Sequence, residues 1–216
     1  MKLRDDITGA RPLVSVLVPS FNAQHYLAEC LESALNQTYP GIEIIVVDDG
    51  SKDGSLALAR SFERRGVRVI AQENRGQSGA YNAAFSASRG DFVQYLDADD
   101  ILDPRKIEVQ VARLAGAEST AIASGAWGRF RSSVSDAVVA YGTLSRDLVP
   151  VDWLVESWST GEMMHVAGWL IPRRVAVAAG PWVEERGCAS NSDADFFTRV
   201  LLASTRCLFC VEAKSY

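Results

Sequence analysis

The chain has 216 residues, of which 48% are hydrophobic and 23% are charged, and its formal net charge is −5. This length fits one ordinary domain that buries a substantial core. The acidic balance excludes a general nucleic-acid binder, which usually carries a basic excess. We expect no secretory signal, because the first six residues contain none of the apolar run that a signal peptide needs. We expect no membrane-spanning segment, because no uncharged apolar stretch is long enough to cross a bilayer.

Four cysteines are scattered along the chain, which indicates reduced thiols in a cytoplasmic protein. Cys207 and Cys210 form an isolated C-x-x-C within an apolar stretch. Their odd spacing places them on opposite faces of a strand, and no second pair has metal-site spacing. We therefore expect both thiols to pack in the core.

The first half of the chain alternates apolar runs with segments of helical spacing. Such alternation predicts a mostly parallel sheet with helices on both faces, in which ligands bind beyond the carboxyl ends of the strands. Asp103 and Pro104 have the types expected at a helix start. The predicted strands cover residues 14–18, 42–47, 67–71 and 92–96, and the predicted helices cover 26–35, 56–62 and 77–88.

The second half is less regular and predicts a small antiparallel element. Asn191, Ser192 and Asp193 favour the start of a late helix. We expect the tryptophans of this half to pack in the core and His165 to be structural; these tryptophans are Trp153, Trp158 and Trp169. The predicted strands cover residues 121–130, 138–143, 164–171 and 207–211, and a short helix is predicted at 151–158.

Asp97 and Asp99 follow the fourth predicted strand and face the same way, because a strand alternates its side chains. Two carboxylates aimed at one point repel unless a cation lies between them. Hard oxygen ligands at a strand end suit Mg²⁺ or Mn²⁺ holding a phosphate-bearing substrate. The pair therefore predicts an enzyme for a charged, phosphorylated ligand.

Three other readings of this acidic cluster remain open. A calcium loop is disfavoured by Ile101 and Leu102, which stand where that loop needs a ligand and a glycine. A phosphatase of the haloacid-dehalogenase kind would use Asp97 as its nucleophile. In the plainest reading, Asp100 or Asp103 only caps the next helix.

Two further loops lie beyond earlier strands. Asp49 lies in residues 48–51, directly after the second predicted strand. It is either part of a turn with helix capping or a carboxylate that accepts a hydrogen bond from the N–H of a nucleobase. Residues 74–79 hold two glycines and one cation before a helix, a pattern that favours close approach of an anion. There Arg75 either pairs with a diphosphate or is an exposed loop residue.

Together these segments resemble the family 2 glycosyltransferases, which have the GT-A fold. The match runs in order through residues 18–22, 48–55, 74–76 and 97–100, and it covers roughly residues 13–115. The resemblance implies a nucleotide-sugar donor, a divalent cation (Mg²⁺ or Mn²⁺) and inversion at the anomeric carbon. It implies that Asp49 meets the base, most often uracil, that Asp99 meets the metal, and that Asp97 lies closer to the ribose. The donor-binding residues carried over are Pro19, Ser20, Phe21, Asn22, Asp49, Asn74, Arg75, Gly79, Asp97 and Ala98.

The resemblance also implies a position for the catalytic base, at the start of the late helix. The family usually has an acidic pair at this place, and Asp193 matches its second member, whereas Ser192 replaces the first. Asp195 is the second candidate for the base. The competing interpretation is that both acids only favour a helix N-terminus through its dipole.

The resemblance implies one GT-A domain over residues 1–216, with a nucleotide-sugar-binding half at 13–115 and an acceptor-side half at 116–216. The chain stops at Tyr216, while many members continue further, so a compact enzyme and a part of a longer one both stay open. We expect transfer from a UDP-sugar to a glycan, lipid or other hydroxyl acceptor in cell-envelope or polysaccharide synthesis. The expected location is the cytoplasm, at the inner face of the membrane. The alternatives are a D-x-D phosphohydrolase and a catalytically inactive sugar-nucleotide binder.

Overall fold

Eight strands are present in the computed structural model, which describes residues 11–163, 165–184 and 192–216. They form two sheets, and the larger one contains the N-terminal strands that the sequence predicts. The strands are β1 (Val14–Ser20), β2 (Ile42–Asp48), β3 (Val67–Ala71), β4 (Phe92–Tyr95), β5 (Ile122–Arg129), β6 (Val138–Ala140), β7 (Ile171–Pro172) and β8 (Cys207–Ser215).

The larger sheet has the strand order β3-β2-β1-β4-β7. Strands β1 to β4 are parallel, and β7 adds an antiparallel edge. The smaller sheet has the order β6-β5-β8, in which β5 pairs antiparallel with β6 and parallel with β8. The predicted α/β architecture with a mostly parallel sheet is confirmed, and the smaller element of the second half is mixed rather than purely antiparallel.

Helices cover both faces of the larger sheet because its central strands are apolar on both sides. Along β1, Val14, Val16 and Val18 pack into one core with the helix Leu27–Leu35, while Leu17 packs into the other core with the helix Gly76–Ala87. The helices are α1 (Leu27–Leu35), α2 (Ser55–Ser61), α3 (Gly76–Ala87), α4 (Lys106–Ala115), α5 (Pro150–Thr160), α6 (Arg173–Ala179) and α7 (Ser192–Ala203).

The predicted strand at residues 164–171 is wrong. A 3₁₀ turn at Val166–Gly168 and the two-residue β7 take its place. The run is apolar because it is enclosed by both cores. Leu170 forms an isolated bridge with Ala123 of β5, whereas the carbonyls of Ala167 and Gly168 accept from the buried side-chain amides of Gln94 and Gln110. Periodicity cannot distinguish this enclosed turn from a buried strand.

Three further predictions concern the tryptophans, the strand ends and the cysteines. Trp153 and Trp169 are buried as predicted, but Trp158 is 71% exposed, so the packing prediction is wrong there. The strand predicted at 138–143 ends at Ala140, whereas β8 extends to Ser215. Both thiols of the C-x-x-C are buried and unpaired. Of the other two cysteines, Cys30 is also buried. Cys188, Met164 of the predicted strand and the helix-start residue Asn191 lie outside the described residues, as do residues 1–10.

Within the part of the chain that the structure describes, none of the helices is long and apolar enough to cross a membrane.

Candidate functional site

A cavity of about 660 Å³ lies at the carboxyl ends of β1, β2 and β4, and we call it the strand-end cavity. Its position follows from the parallel sheet, which brings these strand ends to one edge. Most of the predicted donor residues line it, namely Pro19, Ser20, Phe21, Asn22, Asp49, Asn74, Asp97, Ala98 and Asp99. Its other lining residues, which the sequence analysis missed, are Ala23, Tyr26, Gly76, Gln77 and Ala80.

Asp49 is buried at the floor of this cavity and is held by the neighbouring loop. Its Oδ1 accepts from Nε2 of Gln72 at 2.7 Å and from the backbone N–H of Arg75 at 2.9 Å. The side-chain amide of Asn74 donates to the Asp49 carbonyl at 2.9 Å. The carboxylate is therefore fixed in position before any ligand binds, as the resemblance requires of a base-contacting residue.

Asn22 lies at the rim of the strand-end cavity with a backbone φ of 51°, in the left-handed region. Its Oδ1 accepts from the Lys52 N–H at 2.8 Å, and its own N–H donates to Ser51 Oγ at 3.0 Å. Asparagine tolerates this conformation better than most residues. The two bonds tie the end of β1 to the loop after β2.

The structure corrects the predicted role of the Arg75 side chain. Its guanidinium makes a bidentate pair with Glu184, at 2.7 and 2.8 Å, and does not line the strand-end cavity. Gly79 is also absent from that lining, because it packs beneath this arginine, where an added Cβ would lie 2.6 Å from Arg75 Cβ. Arg75 serves the cavity through its backbone N–H to Asp49, and Gly79 serves it by leaving room for the arginine.

A second cavity of about 840 Å³ adjoins the first, and we call it the acidic cavity because five carboxylates line it, those of Glu29, Asp97, Asp99, Asp100 and Asp193. Asp97 and Asp99 line both cavities. Asp193, at the start of α7, lines the acidic cavity together with Asp100. Two arginines and two histidines that the sequence analysis did not assign to a site also line it: Arg129, Arg131, His25 and His165.

Asp97 is oriented by helix α3. Its Oδ1 accepts from Tyr81 Oη and from Gln77 Nε2, both at 2.6 Å. Burial is the main cause that raises the pKa of Asp97, and the bond from Tyr81 opposes it. The two donors occur four residues apart, so they lie on one face of α3, which is the sequence signal that could have identified them.

Two other carboxylates of the acidic cavity, Asp100 and Asp193, have raised pKa values because they are buried and lie close to other negative charges. Burial, followed by the charges of Asp97 and Asp99, raises the pKa of Asp100 to about 8. Burial and then the charge of Asp97 raise the pKa of Asp193. Each negative charge therefore makes its neighbours harder to ionise, and an added positive charge would stabilise the group.

The plainest reading of the sequence was that Asp100 or Asp103 only caps the next helix. In the structure Asp100 does not cap α4. The carboxylate is buried, and its Oδ2 lies 3.3 Å from Nδ1 of His165. The imidazole stacks on Trp127 with ring centres 5.7 Å apart. Burial lowers the pKa of His165 and raises that of Asp100, so burial disfavours the charged form of both groups at this contact.

The two candidates for the base are placed differently. Asp193 lines the acidic cavity, and Ser192 Oγ donates to its Oδ1 at 3.4 Å. Asp195 instead pairs with Arg199 at 2.7 Å one turn along α7 and lines neither this cavity nor the strand-end cavity. Geometry thus favours Asp193.

Asp97 and Asp99 are the residues available to a divalent cation. Within the described ranges, the chain has no group of three or more His, Cys, Asp or Glu side chains placed to hold a metal by itself. Mg²⁺ commonly uses only one or two carboxylates, with waters and substrate phosphates completing its shell. The excess of negative charge at Asp97, Asp99 and Asp100 suits a cation that is held jointly with a diphosphate.

A third cavity of about 390 Å³ lies between α5 and α7, and we call it the aromatic cavity. Trp153, Trp169 and Phe197 form its wall, with ring centres 5.3 Å apart between successive members. Met163 and Asp193 line both this cavity and the acidic cavity, so the two are continuous.

The family model described as glycosyl transferase family 2 matches residues 15–154. This chain, with its GT-A fold, belongs to that family. Glycosyltransferase GlyG of Streptococcus pneumoniae is 44% identical over 99 residues, which cover 44% of this chain and 33% of GlyG.

Solved structures of the same fold cover nearly the whole chain. S. aureus TarS in complex with UDP-GlcNAc gives a TM-score of 0.77 at 18% identity, over 94% of this chain and 57% of the TarS chain. The mannosyltransferase PcManGT from Pyrobaculum calidifontis, in complex with GDP-Man and Mn²⁺, gives 0.66 at 20% identity, over 96% and 57%. The chain spans about a third of the curated relatives that it matches and just over half of these solved chains.

Proposed function

We propose that this protein transfers a sugar from a nucleotide-diphosphate donor, a UDP-sugar, to a hydroxyl acceptor with inversion at the anomeric carbon. One observation carries the proposal: the candidate base Asp193 and the strand-end acids Asp97 and Asp99 line one cavity, although they come from opposite halves of the chain. Membership of the family sets the phosphohydrolase alternative aside.

The nucleotide occupies the strand-end cavity. Asp49, fixed at its floor, accepts from the N–H of the base, and the exposed ring of Phe21 offers an aromatic face at the same cavity. Uracil fits a carboxylate acceptor because it presents an N–H. The complex of TarS with UDP-GlcNAc supports this choice, and the complex of PcManGT with GDP-Man makes guanine the competing base.

Asp99, with Asp97 beside it, would hold the divalent cation, Mg²⁺ or Mn²⁺. When bound, the cation supplies positive charge that stabilises the leaving nucleoside diphosphate. The Mn²⁺ in the PcManGT complex supports this assignment. Arg129 and Arg131 line the acidic cavity, and among the described residues neither guanidinium forms an ion pair. The Arg129 guanidinium lies over the Trp127 ring at 5.3 Å, and the backbone N–H of Arg131 donates to Asp136. We assign to these two side chains the role that the sequence suggested for the side chain of Arg75.

Asp193 accepts the proton from the acceptor hydroxyl as the oxygen attacks the anomeric carbon. Its raised pKa makes the carboxylate a stronger base than an ordinary aspartate. In a single displacement the bond to the acceptor oxygen forms as the bond to the diphosphate breaks, so the enzyme supplies no nucleophile.

The cavities support the proposed division of labour within one domain. Among the described residues, those that line the strand-end cavity all fall within 13–115, and those that line the aromatic cavity all fall within 116–216. The acidic cavity takes residues from both halves. Donor binding therefore belongs to the first half and acceptor binding to the second, while the pathway, cell-envelope or polysaccharide synthesis at the inner face of the membrane, stays a prediction.

The replacement Asp193→Asn tests the role of the base. We expect release of UDP from UDP-GlcNAc, or of GDP from GDP-Man, to fall by roughly 10²–10⁴-fold while binding of the nucleotide with Mn²⁺ is kept. Asp195→Asn is the matched control on the same helix turn, and it should keep near-normal turnover. Equal turnover in wild type and Asp193→Asn would contradict the role, and nucleotide binding without any turnover in wild type would establish the inactive binder.

A further inference from the structure

We infer that the aromatic cavity takes the hydrocarbon part of the acceptor, so that the acceptor is lipid-linked rather than a free glycan. This inference rests on the proposed function, because it places the reacting hydroxyl at Asp193. Asp193 and Met163 line both cavities, so a hydroxyl beside the carboxylate continues directly into the aromatic cavity.

The lining of the aromatic cavity is mostly carbon, and its polar side chains are few: Asp193, Ser157, Thr198 and the exposed indole of Trp158. The indole nitrogens of Trp153 and Trp169 are buried within the protein without a hydrogen-bond partner, so neither N–H reaches an occupant. The hydroxyl of Ser157 is already used, because it donates to the Glu162 carbonyl at 2.6 Å. A sugar would leave most of its own hydroxyls unpaired here, at a cost in free energy for each, whereas a hydrocarbon would not.

An exposed apolar surface continues outward from this cavity. Trp158 lines the cavity and is 71% exposed. Val151 and Val155 on the same helix are 60% and 59% exposed, and their spacing places all three side chains on one face of α5. Exposed apolar residues are ordinary when scattered, but here they form a stripe that begins at the mouth of a cavity. A chain longer than the cavity would lie along this stripe.

The test measures binding of n-alkyl β-glucosides from butyl to octyl, below the concentrations at which they form micelles, by calorimetry and tryptophan fluorescence. Burial of each added CH₂ should tighten binding by up to about fourfold. Affinity that does not depend on chain length would overturn the inference, since a glycan site would read only the sugar.

Two variants change the cavity without touching the proposed catalytic residues. Thr198→Phe fills the cavity from α7, and Trp158→Ser removes an exposed part of its wall, so folding is preserved in the second even if the first perturbs it. Each should weaken octyl glucoside binding at least about tenfold. Val138→Ser, at an apolar side chain that is 75% exposed on β6, is the control and should change nothing.

Binding of UDP with Mn²⁺ to the same proteins separates the two proposals. If UDP binds and chain length has no effect, the inference fails and the proposed function stands. If UDP does not bind while octyl glucoside binds in a Thr198-dependent manner, the cavity is real but the proposed function fails. Sedimentation with phosphatidylglycerol vesicles, without any binding of octyl glucoside, would assign the α5 stripe to a membrane surface and overturn the inference.

Discussion

Asp193 combines burial with a negative neighbour, and both effects act on the same proton. Because its pKa is raised above the ordinary 3.8, the carboxylate stays protonated to a higher pH than an exposed aspartate. A base works only when deprotonated, so turnover should rise with pH through this raised pKa. The acidic limb of the kcat profile should therefore lie above the range of a free carboxyl group.

A kcat profile measured from pH 4 to 8 checks this prediction. In Asp195→Asn the limb should stay in place, because Asp195 pairs with Arg199 away from the acidic cavity. In Asp193→Glu the limb should move, since a longer carboxylate sits in different surroundings. An unchanged limb in Asp193→Glu would show that another group controls the profile.

At this scale the sequence predicts some residues better than others. Asp49, Asp97 and Asp99 were predictable because each follows an apolar strand and parallel strand ends converge. The pairing of Arg75 with Glu184 was not, because the partner comes from a distant loop and no pattern links them. A local motif identifies a residue type at a position, but its side-chain partner depends on the tertiary fold.

At the scale of the secondary-structure elements, strands β5 and β8 lie in close backbone contact at Gly125. The register shifts between Gly125 and Ala126, and an added Cβ at Gly125 would lie 2.1 Å from the Ala213 carbonyl oxygen. Gly125→Ala should force the strands apart and lower the free energy of unfolding by about 1–3 kcal/mol in urea denaturation. Gly116→Ala is the control, because no atom lies within 4 Å of its added Cβ, and an equal loss there would contradict the packing argument.

Helix α4 carries a fully buried Lys106, whose Nζ donates to Gln94 Oε1 at 2.5 Å and to Gln110 Oε1 at 2.7 Å. The same two amides hold the carbonyls of Ala167 and Gly168. This network links β4 and α4, which flank the loop that carries Asp97, Asp99 and Asp100, to the turn that follows His165. It positions the two sides of the acidic cavity relative to each other.

Burial lowers the pKa of Lys106 from 10.5 to about 7. Between these values the unfolded chain holds a proton that the folded protein has lost, so this lysine lets stability rise with pH. Relative to Lys106→Met, the wild-type free energy of unfolding should increase between pH 7 and 9. Urea denaturation of both proteins at the two pH values measures it, and a constant difference would contradict the lowered pKa.

At the scale of the whole molecule, the order of strands and helices in the first half was predictable, because short continuous apolar runs alternate there with segments of 3.6-residue spacing. The second half was not, since its turn at Val166–Gly168 is enclosed on all sides and looks like a strand. The aromatic cavity was also beyond sequence reasoning: Trp153, Trp169 and Phe197 come from three separate segments, and each alone indicates only packing.

The two halves together define the central claim, that the strand-end cavity binds a nucleoside diphosphate with a cation held by Asp99. The direct measurement is calorimetric titration with UDP, GDP, CDP and dTDP, each with and without Mn²⁺, for wild type and Asp99→Ala. The account predicts that UDP binds most tightly, that Mn²⁺ strengthens its binding, and that Asp99→Ala removes this dependence on Mn²⁺. Absence of binding by any of the four nucleotides, or an unchanged response to Mn²⁺ in Asp99→Ala, would contradict it.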